Sequence, residues 1–321
     1  MNISQSAPPN YGRRKVVDRL MRLLLLVTVL LAVIPLLLIL GHVLVRGAGA
    51  LNVAFFTETY RPPLLPGETD ESLSRLLLAD EDEIDDADML RTAPMDEFVA
   101  RGGVLHGIVG TLLITSTALL IATPIGIMAG IFVSEYRESR FATVVRFACD
   151  VLSGAPSIIV GVTAYLIIVR HITSFSGLAG SIALAFLMVP IATRTTEEVL
   201  KLVPWEIREA ALALGAPSWY TTLVVVIPAA LPGIITGLML AFARGAGETA
   251  PLLLTVSTSN ELSFNLLEPI ATLPLITYQY ASSQFPSENV QAWGTAFVLT
   301  MIVLLVNITV RLITWRTRGG R

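Results

Sequence analysis

The chain has 321 residues, of which 54% are apolar and only 15% charged, with a mean hydropathy of +0.71 and a formal net charge of -3. Soluble domains carry about 25% charged residues, so this balance excludes an ordinary soluble protein. A single cysteine, Cys149, excludes an internal disulfide, and the scattered histidines His42, His106 and His171 offer no metal-ligand spacing.

A bilayer core about 30 Å thick is crossed by about 20 apolar residues in helical form. The first such run is Leu23 to Val45, preceded by Arg13, Arg14, Lys15, Arg19 and Arg22, so residues 1–22 read as a basic cytoplasmic amino terminus. The run exceeds the roughly 7–15 residues of a signal-peptide apolar region. Despite the small-residue stretch Ala48-Gly49-Ala50, residues 23–45 are therefore expected to remain as a span.

Residues 46–103 form an extracytoplasmic loop with 13 of the 25 carboxylates and five arginines, leaving 17 basic and 12 acidic residues elsewhere. Within positions 62–100, the stretch from Asp80 to Asp88 lacks the glycine and ligand alternation of a calcium loop. It reads as a solvated, self-repelling acidic segment.

The remaining spans fall in residues 104–315: the second within Val104 to Val133, the third at Phe147 to Val169, the fourth at Gly177 to Thr193 and the sixth at Trp293 to Ile313. Between Leu223 and Val256 the pattern is too long for one straight crossing at about 1.5 Å per residue. Proline belongs in a first helical turn, so Pro228 and Pro232 place the start of the fifth span near Leu231 and its end near Val256, with Arg244 near the middle. Residues 257–292, with Pro269, Pro274, Tyr278, Tyr280 and Phe285, are expected to lie outside as an ordered surface segment or short re-entrant helix, with a plain connector as the alternative. A basic carboxyl terminus, 316–321, closes the chain.

These expectations make an all-α membrane protein with six transmembrane helices. Short cytoplasmic loops are enriched in Lys and Arg. With the amino terminus inside, 15 basic residues lie in cytoplasmic segments against six outside, and both termini are cytoplasmic. Asp150, at the start of the third span, stands four residues after Arg146 and is expected to pair with it at the interface.

Between the fourth and fifth spans, Arg194 to Gly215 reads as two short helical stretches separated by Pro204, with Gly215 as the stop of the second. Glu209-Ala210-Ala211, three residues, Gly215, nine residues and Val225-Val226-Ile227-Pro228 resemble the EAA loop of ABC-importer permeases. More of the chain, about 104–315, resembles the phosphate-specific PstA branch. The likeness is carried by Gly154-Ala155-Pro156-Ser157-Ile158-Ile159-Val160-Gly161, by Arg194 to Pro204, and by Leu231-Pro232-Gly233 through Pro251. Gly245, where alanine is expected, and the long acidic loop are the departures.

The resemblance implies a type I ABC importer permease in the inner membrane of a prokaryote, with a cytoplasmic coupling loop at 194–230 and Glu209, Ala210, Ala211 and Gly215 facing an ATPase. Pro156, Ser157, Gly161, Pro228 and Pro232 would be its structural signature. It also implies a homologous PstC-like permease subunit, two PstB-like ATPase subunits carrying ATP and magnesium, and an extracytoplasmic PstS-like phosphate-binding protein. The chain itself would bind no cofactor or metal; the lipid bilayer is its surroundings, and no nucleic-acid partner is implied.

Arg244 and Glu248 are four residues apart, hence on one helical face. An intramembrane arginine costs about 2.5–3.5 kcal/mol on insertion scales and must face protein or a water-filled path. Its guanidinium fork matches phosphate oxygens, and the resemblance implicates this pair in phosphate passage; a plain packing pair is the alternative. Gly245 and Gly247 are expected to leave space beside it.

Enzymatic motifs are absent. The two lysines, Lys15 and Lys201, lie outside any G-x4-G-K-[ST] loop, and there is no G-x-S-x-G or H-E-x-x-H. The chain is thus expected to be a non-catalytic importer subunit for phosphate. Sulfate or molybdate passage, a proton-coupled transporter and a membrane-embedded hydrolase are the alternatives.

Overall fold

The computed structural model describes residues 11–64, 94, 97–172 and 174–318. The chain enters as one long helix, α1 (Tyr11–Ala48), apolar on all sides over its span and almost wholly exposed. Its outer end packs on the last helix, where His42 meets Trp293 edge-on at 4.7 Å and Gly47 lies against Phe297. A short helix, α2 (Val53–Thr57), is capped by Asn52, whose side chain accepts from the Phe55 N–H at 2.7 Å.

Strands β1 (Tyr60–Leu64) and β2 (Val99–Gly102) pair antiparallel, with Tyr60 opposite Gly102 and a register shift between Arg61 and Leu64. They pin together the two ends of the acidic loop. The acidic stretch from Asp80 to Asp88 lies outside the described residues, so the solvated-loop reading has no structural counterpart.

Helix α3 (Leu105–Glu135) buries Gly107, Thr111, Ile114, Ala118, Ala122, Gly126 and Gly130 at steps of three and four, which places one small-residue stripe against its neighbour. That neighbour is α6 (Gly177–Lys201), the most buried of the spans and the centre of the bundle. Gly126 approaches Ala192 and Gly130 approaches Thr196 so closely that a Cβ would sit 2.5–2.6 Å from them. From the other side, Gly233 and Gly237 of α8 (Ser218–Ala246) abut Val199 and Thr195 of α6. Such paired small residues let apolar helices approach closely in a medium where the hydrophobic effect does not drive association.

Between α3 and α6 lie α4 (Arg140–Gly154) and α5 (Ser157–Val169), which meet at 103°. The straight third span expected over Phe147 to Val169 is therefore broken at Ala155-Pro156. Pro156 cannot continue the α4 hydrogen-bond ladder and instead precedes the first turn of α5. The last turn of α5, Tyr165–Val169, is a π-helical segment. Helix α4 presents Phe141, Val144, Phe147 and Val151 outward as one exposed apolar stripe. Among the described residues, five helices are long and apolar enough to cross, and the bent pair counted as one span makes six.

The fifth crossing also departs from expectation. Helix α8 starts at Ser218, well before Leu231, and runs through both Pro228 and Pro232. A π-helical segment, Thr222–Val226, lies just before Pro228 and moves the Ile227 N–H to the Thr222 carbonyl, loosening the ladder where proline lacks a donor. The helix then ends at Ala246 with Gly247 as its cap, and a six-residue helix, α9 (Ala250–Thr255), continues the crossing.

Residues 257–292 contain an ordered helix, α10 (Leu273–Ala281), whose Leu273, Ile276 and Tyr280 are buried with Phe55, Val104 and Val298, while Leu275 joins the cluster of Ile114 and Leu252. The Leu273 N–H donates to Thr111 Oγ1 at 2.8 Å. This segment is a packed outer cap, and the plain-connector alternative falls away. Helix α11 (Pro286–Arg318) completes the chain. Near its start Glu288 is buried and accepts from the Tyr60 hydroxyl at 3.2 Å. Burial, reinforced by that carboxylate, pushes the Tyr60 phenol up to about 12.

Candidate translocation site and coupling surface

Arg244 stands two residues before the end of α8, next to the break. Gly245 beside it faces Met188, midway along α6, so the break and Arg244 lie at mid-depth of the bundle. A helix terminus, rather than the helix interior expected from the sequence, thus carries Arg244. A cation at a helix carboxyl end and a carboxylate just before the next helix both suit the backbone dipoles.

The Arg244 side chain is 54% exposed and its Nε lies 3.6 Å from Glu248 Oε1, whose side chain is 18% exposed. That separation is an ion pair without a hydrogen bond. Among the described residues no side-chain hydrogen bond engages the guanidinium, which leaves its donors open to an outside acceptor. Glu248 is anchored near the backbone turn, its N–H donating to the Gly245 carbonyl at 3.2 Å. The expected space beside the pair is divided: Met188 fills the place next to Gly245, whereas Gly247 touches only backbone carbonyls of its own turn and stays exposed.

Of the expected signature residues, Gly161 packs on the helix that follows this break. Ser157 opens α5, and Gly161 lies so near Pro251 that a Cβ would sit 2.8 Å from its Cα, locking α5 onto α9. Pro228 and Pro232 lie within α8, 16 and 12 residues before Arg244.

At the opposite end, the helix of the coupling loop is α7 (Trp205–Ala213), which follows Pro204 directly. The first of the two expected short stretches is instead the continuation of α6 to Lys201. Gly215 has φ +85°, its N–H donates to the Leu212 carbonyl, and the Ala216 N–H donates to the Ala211 carbonyl, which together close the helix as a Schellman motif. Glu209, Ala210 and Gly215 are exposed, Ala211 partly so, and the Trp205 indole donates to Glu209 Oε1 at 2.6 Å. Around them Leu202, Leu214 and Trp219 are all exposed, so the helix sits within an apolar surface patch.

Sequence reasoning missed a cluster beneath this face. Glu197 is 1% exposed and is met by Arg146 at 2.8 Å, Arg194 at 3.3 Å and Lys201 at 2.5 Å. Asp150 pairs with Arg194, so the expected Arg146–Asp150 pair is not formed. The signal was present in Arg194, Glu197 and Lys201 at spacings of three and four, on one face of α6. Among the described residues, no group of three or more His, Cys, Asp or Glu side chains could hold a metal ion.

A family model described as "Binding-protein-dependent transport system inner membrane component" matches residues 122–318. The Phosphate transport system permease protein PstA of Haemophilus influenzae is 48% identical over 213 residues, covering 66% of this chain and 76% of that protein. The PstA of Yersinia pestis is 40% identical over 301 residues, 94% of this chain and 90% of that one. Among solved structures, a bacterial ABC transporter involved in alginate import aligns with a TM-score of 0.58 over 94% of this chain and 99% of its own, at 13% identity. An inward-facing MetNI methionine ABC transporter aligns at 0.57 over 66% of this chain and 95% of its own, at 19% identity, so both likenesses concern the fold. With its helical bundle and the comparisons together, the chain belongs to the binding-protein-dependent transport system inner membrane components, in the PstA family, as a multi-pass permease subunit without catalytic chemistry of its own.

Proposed function

We propose that this permease passes inorganic phosphate into the cell, driven by ATP hydrolysed on partner subunits, with Arg244 as the residue that meets the anion. One observation carries the reading: a mid-depth arginine at a helix break, loosely paired to Glu248 and with its donors open to an outside acceptor. Leaving a permanent charge in such a position is costly unless it faces a polar path or a partner. Guanidinium forms forked hydrogen bonds with phosphate oxygens. Glu248 holds the arginine and lowers its pull on the anion, so that phosphate can leave.

The relatives' printed function, phosphate transport, gives the substrate class. A second, PstC-like permease subunit would supply the other wall of the path. Two PstB-like ATPase subunits, carrying ATP and magnesium, would dock on α7 through the surface of Glu209, Ala210, Ala211 and Gly215. A PstS-like binding protein would deliver phosphate from outside, with both termini of this chain in the cytoplasm as its basic residues indicate.

The test is uptake of radiolabelled phosphate by vesicles carrying the whole complex. Arg244→Gln is expected to reduce uptake by a factor of about 100 or more, as losing a charge-assisted contact of about 3 kcal/mol implies, at unchanged abundance. Uptake at the normal rate would sink the assignment. Excess sulfate or molybdate is expected to leave wild-type uptake unaffected; equal competition would retain the importer and remove its selectivity for phosphate.

A further inference from the structure

The ion-pair cluster away from Arg244 has a geometry that general packing does not require. Of the nine residues of α7, Arg208 alone is buried. A surface helix ordinarily rests on an apolar stripe; this one is held by a cation. Arg208 Nη1 donates to Glu135 Oε1 at 2.6 Å and its Nη2 to the Leu200 carbonyl at 3.2 Å, so one side chain grips the last residue of α3 and the last turn of α6.

The same α3 terminus is gripped from the other side. Arg146 of α4 donates to the Val133 carbonyl at 2.8 Å, to the Arg137 carbonyl at 3.2 Å and to Glu197 of α6 at 2.8 Å. Arg194 then joins Glu197 to Asp150 of α4. From α4 the chain turns through 103° into α5, and Gly161 of α5 lies against Pro251 of α9, three residues beyond Glu248. Charge-assisted, multiply bonded guanidinium contacts fix direction as well as distance, and they join α7 to the segment bearing the substrate arginine through continuous covalent and packed contacts.

We infer that Arg208, held by Glu135, is a positioning residue that transmits movement of α7 to the helical bundle and so keeps ATP hydrolysis in step with transport. The inference rests on the reading that α7 docks an ATPase. Without the pair, α7 can move with the ATPase while the bundle does not follow. Arg208 precedes Glu209 directly but points inward, so the two neighbours divide the work: one faces the partner, the other the bundle.

The experiment uses the full complex in proteoliposomes with its binding protein, measuring ATP hydrolysed and radiolabelled phosphate transported in the same preparation. Arg208→Gln and Glu135→Gln are each expected to keep the ATPase subunit in the purified complex while phosphate moved per ATP falls by about fivefold or more, the lower end of ordinary coupling between sites. The double charge exchange Arg208→Glu with Glu135→Arg is expected to recover at least half of the loss. An unchanged ratio in both single variants would overturn the inference, as would loss of the ATPase subunit from them, or proportional loss of transport and hydrolysis that the exchange fails to restore. A Leu214→Cys variant of the otherwise wild-type chain is expected to cross-link to the ATPase subunit with a thiol-reactive reagent. Absence of that cross-link would defeat the docking reading itself, independently of the ratio.

Discussion

Arg244 and Gly215 derive their roles from single backbone or side-chain properties. For Arg244 that property is the planar guanidinium fork, whose position at the helix break governs what it can meet. Gly215 occupies a left-handed conformation at φ +85° that places the two Schellman hydrogen bonds at the end of α7. No atom lies within 4 Å of where its Cβ would be, so a side chain meets conformational strain but no clash. Gly215→Ala is expected to cost roughly 1 kcal/mol locally, and Gly215→Asn less, since asparagine tolerates this region. Amide hydrogen exchange over residues 205–216 should be faster in the alanine variant than in the asparagine one; equal rates would contradict the account.

For the helices, close approach is decided by small residues on both flanks of α6. A Cβ at Gly237 would lie 2.3 Å from Thr195 Oγ1 and 2.6 Å from Thr195 Cβ, close to the backbone of a buried helix that cannot retreat. Gly237→Leu is therefore expected to destabilise the subunit by about 1–3 kcal/mol, the usual range for overpacking. At Gly245 the near atom is Met188 Cε, the far end of a flexible side chain. Gly245→Ala should be tolerated, and alanine is the residue expected there from the family pattern. Thermal unfolding of the purified complex compares them: a lowered midpoint is expected for the leucine variant and little change for the alanine one. The reverse order would show that α6 and α8 are not in contact at these points.

At the scale of the whole molecule, the bundle has two working ends joined by α6. The outer end is closed by α10 over the tops of α3 and α11, and the inner end is closed by the Glu197 cluster. The paired strands Tyr60–Leu64 and Val99–Gly102 already bring the two ends of the acidic loop together without the intervening residues. Deleting residues 68–96 is thus expected to leave assembly near wild-type, measured as the yield of complete complex. Failure to assemble would mean that the loop itself holds a partner.

The sequence by itself determined the number and order of the membrane-spanning segments and the helix after Pro204 with its stop at Gly215, and it singled out Arg244 with Glu248 as candidates. Those features rest on local properties: unbroken apolar length, a missing proline donor, glycine's freedom and the cost of a charge in hydrocarbon. Only the tertiary structure decided how α8 runs through two prolines, why the third span bends at Pro156, and which carboxylate each arginine takes. Arg146 lies four residues from Asp150 yet reaches Glu197, 51 residues away, while Asp150 turns to Arg194. Spacing along one helix identifies only the pairs that helix can make, whereas a buried carboxylate gathers cations from every element packed around it. The link from Arg208 to Glu135 belongs to the same class, joining residues 73 apart, and becomes visible only when the ends of α3, α6 and α7 are brought together.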